Sequence, residues 1–148
     1  MDYELVFLSE MSLIEWARYI YGVFKEKLDL KVQYKEHSDH ISIVCEYMSF
    51  LIDTDEIIGM DVIKEVFSFE ANVSIRLQIF GRTYDQGIKL FFMLLKYIMD
   101  DKAEDLLLLE NGSEVILKRK GADICTCIQE GYETDFPFAL LGREIRRV

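Results

Sequence analysis

Apolar residues recur along this chain in two rhythms, and the switches between them mark out its elements. Over Asp2–Leu8, Tyr3, Leu5 and Phe7 alternate with Val6 and Leu8, so both faces are apolar. That predicts a central strand covered on both sides. The period then changes: Leu13, Trp16, Ala17, Ile20, Val23 and Phe24 follow the i, i+3, i+4, i+7 spacing of an amphipathic helix ending near Leu28. Ser12 and Glu15 supply it with a capping box. Strand-like runs at residues 30–35 and 41–47 flank the polar turn 36–40. In residues 48–70 the signal weakens. Ile57, Ile58, Val62, Ile63 and Val66 predict a helix to about Phe67, with Gly59 counting against it.

Residues 71–80 carry the cleanest alternation, Val73, Ile75, Leu77 and Ile79 against Ser74, Arg76 and Gln78. Thr83 and Gln86 offer a second capping box before a helix over residues 88–99 that is apolar nearly all round. Such a helix has to be buried. Two apolar runs then flank Asn111-Gly112, the dipeptide best suited to a two-residue hairpin turn. A break at Lys120–Asp123 leads to a last strand over residues 124–129, completing a three-stranded meander. The tail, 132–148, has little pattern and ends in Arg143, Arg146 and Arg147. The predicted order is β-α-β-β-(α)-β-α-β-β-β. It implies a single α+β domain over residues 1–148, with a mainly antiparallel sheet, two principal helices on one face and a C-terminal meander. No Gly-rich phosphate loop joins a strand to a helix.

Composition narrows the class without naming it. With 51% hydrophobic and 30% charged residues in 148, the chain is neither disordered nor membrane-like. Its N-terminus is acidic, without the basic start of a secretory signal, and its apolar runs fall far short of the ~20 residues that span a bilayer. A cytoplasmic protein is expected. Three cysteines, Cys45, Cys125 and Cys127, are an odd number that fits a reducing compartment better than a disulfide framework. The net charge of −10 disfavours nucleic acid and anionic membranes as ligands and favours a cationic partner.

Candidate chemistry is sparse. His37 and His40 have H-x-x-H spacing but no positioned third ligand. Asp53–Gly59 fails the calcium-loop rule, because the fifth, sixth and twelfth positions are Ile57, Ile58 and Lys64. Neither metal, cofactor nor catalytic residue is assigned, and the chain is read as not an enzyme. What does cluster is acidity. Asp53, Asp55, Glu56 and Asp61 form one group, Asp100, Asp101, Glu104 and Asp105 a second, and Glu130, Glu133 and Asp135 a third, with Asp53, Asp55, Glu56, Asp100, Asp101, Glu104, Glu130 and Glu133 the candidate contacts. They are either solvated loops and helix ends or a patch that docks on a basic protein surface.

One resemblance adds function. Asp105-Leu-Leu-Leu-Leu109, Asn111-Gly112, Val115-Ile-Leu117, Arg119 and Gly121 resemble the Sit-type immunity proteins, bacterial antidotes associated with myxobacterial swarming-inhibition toxins. Asn72-Val-Ser-Ile-Arg-Leu77, Tyr3-Glu-Leu5 and Leu8-Ser9 with Ser12 resemble other parts of that family's pattern, and Asp135-Phe-Pro137 resembles its tail without the tryptophan expected there. The resemblance implies an immunity protein that binds and neutralises a cognate toxin of a polymorphic toxin system. It implies no contact residues. Were the toxin a nuclease, the acidic groups would obstruct its basic cleft. The alternative is a non-catalytic structural or adaptor module in which the apolar helix 88–99 forms a homodimer interface.

Overall fold

A computed structural model describes residues 1–53, 60–128 and 136–148. Its strands are β1 (Asp2–Leu8), β2 (Gln33–Glu36), β3 (His40–Val44), β4 (Met48–Asp53), β5 (Val73–Ile79), β6 (Asp105–Glu110), β7 (Glu114–Lys120), β8 (Asp123–Thr126) and β9 (Arg146–Arg147). Its α-helices are α1 (Leu13–Gly22), α2 (Met60–Phe67) and α3 (Tyr84–Asp101). The strands form one sheet in the order β2-β3-β4-β5-β1-β6-β7-β8-β9. Every neighbouring pair is antiparallel except β8 and β9. The α+β class and its meander are as the patterning predicts.

β1 lies inside the sheet, between β5 and β6. Its two apolar faces have two separate destinations. Tyr3, Leu5 and Phe7 join the main core with α1, α3 and the apolar positions of β3, β4 and β5. Val6 points the other way, into a smaller core with Ile63, Phe69, Leu107 and Leu109. Thus α1 and α3 share the inner face, while α2 covers part of the outer one. Trp16 of α1 stacks on Phe7 with ring centroids 4.2 Å apart, and its indole N–H donates to the Ser9 hydroxyl. Ser12 caps α1 by accepting from the Glu15 N–H. Residues Val23–Lys27 then extend α1 as a π-helical turn, ending near the predicted Leu28.

Three details differ from expectation. β4 occupies residues 48–53, where the patterning gave no strand: Met48, Phe50 and Ile52 alternate inward, but the run is short and beside an ambiguous stretch. Thr83 forms no cap; its hydroxyl oxygen is buried without a hydrogen-bond partner because a 3₁₀ turn over Gly81–Thr83 leads straight into α3. At the hairpin, Asn111 and Gly112 both take positive φ (52° and 72°), yet Glu110 pairs with Glu114, so Ser113 is also in the loop. The register is restored by a bulge, with Leu108 opposite Leu117 but Leu109 opposite Val115. The extra residue, Ile116, has its carbonyl satisfied by the buried Thr126 hydroxyl at 2.6 Å.

The helix apolar on nearly all sides is consumed by its own fold. Ile88, Phe91, Phe92, Leu94, Leu95, Ile98 and Met99 of α3 are buried, and the exposed positions are Asp85, Gln86, Lys89, Asp100 and Asp101, with Met93 the large apolar residue left exposed. A homodimer through this helix would have little apolar surface to bury.

Candidate interaction surface

The sheet register brings the acidic positions to one end of the molecule. Leu8 pairs with Asp105, Val6 with Ser74, Leu51 with Arg76 and His40 with Asp53. Asp53 therefore lies at the same sheet end as Glu104 and the C-terminus of α3. Asp55, Glu56, Glu130 and Glu133 fall outside the described residues.

At that end most of the acidic side chains are already engaged. Asp100 accepts from Lys96 at 2.8 Å and from Arg143 at 2.7 Å, and those bonds hold its carboxyl below the usual range. Asp101 accepts from the Tyr19 hydroxyl at 2.7 Å. Burial, then this bond and the charges of Asp101, Asp100 and Glu104, push the Tyr19 phenol pKa up, so it remains the donor. Lys102 lies over the Tyr19 ring, 4.9 Å from its centroid. Glu104 accepts from the Ser9 hydroxyl at 3.3 Å. Asp53 pairs with Arg76 at 2.6 Å, with both side chains about half exposed.

Beneath these carboxylates sits Arg119. The residue is 4% exposed, and its guanidinium donates to the carbonyls of Met99, Lys102 and Glu104 at 2.8–3.1 Å. Those carbonyls terminate α3 and lead into β6, so one side chain ties helix end to strand start. Gly121, at φ 60°, completes the corner by donating its N–H to the Asp105 carboxylate at 2.8 Å. Asp105, Arg119 and Gly121, apart in sequence, meet there.

The outer sheet face divides into two halves. α2 covers the β1–β6 part through Ile63, while Val62 and Val66 on its other side stay exposed. Over β2–β5 the outward positions are Gln33, Lys35, Ser42, Val44, Ser49, Leu51, Ser74, Arg76 and Gln78, none of them fully buried. Where β4, β5 and β1 meet, a concavity of about 560 Å³ opens, lined by Asp2, Glu4, Ser49, Leu51, Arg76 and Gln78 among others. The patterning does not flag Asp2, Glu4 or Ser49, since each reads as an ordinary solvent-side residue; only their register gathers them. His37 and His40 stack on each other 4.2 Å apart where β2 turns into β3, far along the strand order from β1. Among the described residues no cluster of three or more His, Cys, Asp or Glu is arranged to hold a metal. Among them, too, no helix is long and apolar enough to cross a membrane.

Comparison with known proteins returns no matching family model, no similar curated protein and no similar solved structure.

Proposed function

We propose that this chain is an immunity protein that binds a cognate bacterial toxin with a basic surface and neutralises it by stoichiometric association. The observation that carries this reading is the uncovered half of the outer sheet face on a chain of net charge −10. A broad, partly polar sheet face with a shallow concavity suits a protein partner better than a small substrate, which needs a deeper enclosure. The acidity supplies long-range attraction, raising the encounter rate with a basic partner and selecting against others.

The residues that carry the family resemblance support the same reading through their roles. Leu106 and Leu108 enter the main core, Leu107 and Leu109 the outer one, and Asp105, Arg119 and Gly121 close the corner between them. They build a scaffold and leave the contact surface free to follow the toxin.

The test is to sequence the gene immediately upstream, which this reading expects to encode a C-terminal toxin domain, and to co-express that domain with the chain. Growth should be restored, and the purified pair should run as a 1:1 complex by light scattering. Unrelieved toxicity in cells that contain the folded chain would refute the proposal.

A further inference from the structure

We infer that the free edge of β2 takes up an extended, acidic segment of a partner protein as an added antiparallel strand. This edge is separate from the outer face on which the immunity reading rests, so either can fail alone.

β2 ends the sheet, with β3 on one side and no strand on the other among the described residues. The register shows which main-chain groups are left over. The His37 N–H donates to the His40 carbonyl, and Lys35 and Gln33 follow opposite Ser42 and Val44 in the same ladder. Ladder bonds fall on every second residue of an antiparallel strand, so those of β2 fall on Gln33, Lys35 and His37. Tyr34 and Glu36 therefore aim their main-chain N–H and C=O groups away from β3. Among the described residues nothing pairs with them there. Such a row of free donors and acceptors is a template for one more strand.

The side chains along the edge select what that strand carries. Tyr34 lies 5.3 Å from Tyr21, ring centroid to ring centroid, and both line a concavity of about 530 Å³ together with Gln33, Lys35 and Val44. A residue directly opposite Tyr34 would rest an apolar side chain on this aromatic shelf. Its two neighbours would stand on the outer face, opposite Gln33 and Lys35. Lys31 and Lys35 are exposed and enter no ion pair among the described residues. The one anion of β2, Glu36, is already held by the Tyr34 hydroxyl at 2.7 Å and by Arg18 at 3.5 Å. From Arg18 to Glu36 the chain carries five cations against three anions, a local positive excess on a protein of net charge −10. Glutamate or aspartate is the complement at the outer positions of the added strand. A second copy is disfavoured, because it would bring its own Lys31 and Lys35 to the same short ladder.

Peptide titrations of the full chain decide it. In ¹H–¹⁵N spectra, acetyl-Thr-Val-Glu-Val-Glu-Val-Thr-amide should shift the amides of residues 32–37, and the same peptide with lysine in place of glutamate should not. N-methylation of its three valines, whose N–H groups would face β2, should abolish the shifts. N-methylation of its two glutamates, whose N–H groups would face solvent, should leave them. Lys31→Glu with Lys35→Glu should weaken the acidic peptide at least about tenfold and confer binding of the lysine peptide, with an unchanged thermal melt. Both lysines are exposed and the substitutions keep every main-chain bond, so the fold has no reason to change. Equal shifts from the acidic and lysine peptides overturn the inference, as do undiminished shifts from the valine-methylated one or no shift with peptide in large excess. A free chain that sediments as a dimer with its β2 amides protected from exchange gives the edge to a second copy, and overturns it too.

Discussion

Replacing Arg119 by methionine keeps much of the apolar stem of the side chain but removes every donor that the guanidinium places beneath the α3 end. The guanidinium serves three carbonyls. That of Met99 keeps a second donor in Arg143 at 3.1 Å. The Lys102 and Glu104 carbonyls lose theirs, and in their part-buried setting an unpaired acceptor costs at most about 1–3 kcal/mol. Two such losses give roughly 2–6 kcal/mol. Against that, the methionine variant no longer has to desolvate a cation, a cost of up to several kcal/mol, so the lower half of the range is expected. We expect Arg119→Met to destabilise the fold by about 3 kcal/mol, which lowers Tm by ~10 °C for a chain of this size. Arg119→Lys should be intermediate, since one ammonium cannot span the acceptors that the planar fork reaches. Urea unfolding followed by the fluorescence of Trp16, the single tryptophan and fully buried, reads the change directly. A loss below ~0.5 kcal/mol for the methionine variant would mean that water satisfies these carbonyls and that Arg119 is no clamp.

Gly87→Ala should also destabilise, despite a helix-propensity gain of about 1 kcal/mol. A Cβ there would lie 2.7 Å from Cγ2 of Ile79 and 3.3 Å from the Tyr47 carbonyl oxygen. Ile79 is fully buried and stiff at χ1, so overpacking of about 1–3 kcal/mol outweighs the gain, and urea unfolding should show a net loss near 1 kcal/mol. An equal or raised midpoint would show that α3 has room to shift. Asp100 gives a pH signature. Its folded-state pKa is depressed by Lys96 and Arg143, so its contribution is fully present above the unfolded carboxylate range and lost as pH falls through the lower folded value. The stability difference between the wild type and Asp100→Asn should be constant from neutrality to about pH 5 and shrink below about pH 4. A difference that persists at pH 2 would assign the effect to something other than ionisation.

How much of this was legible in the sequence depends on what fixed each feature. β1, β5, α1 and α3 rest on long periodic runs, and the periods alone mark them. Asn111-Gly112 announced its turn because few other dipeptides take two positive φ angles cheaply. The third loop residue and the bulge at Ile116 did not show, because they depend on how β6 meets β7, and on a hydroxyl, Thr126, supplied by a third strand. α2 was legible as a helix but not as the cover of the outer face, which follows from the contact of Ile63 with Val6 and Leu107. The site behaved likewise. Acidity can be counted along a chain, but whether a carboxylate is free depends on who lies opposite, and Lys96, Arg143 and Tyr19 approach Asp100 and Asp101 from other elements.

That distinction changes what net charge means for this protein. A field felt at a distance sums all carboxylates, paired or not, minus all cations, and it falls off over about 10 Å at ordinary salt. Contact energy comes only from groups that can exchange water for a partner without breaking another bond. Asp100 and Asp101 belong to the first kind: they contribute to attraction while being held in the network that closes α3 onto its neighbours. On the proposed immunity reading, salt should therefore slow association with the toxin strongly while leaving dissociation less affected. On the proposed reading the two kinds have to be kept apart, because carboxylates spent on the fold's own stability cannot also be surrendered to a basic partner.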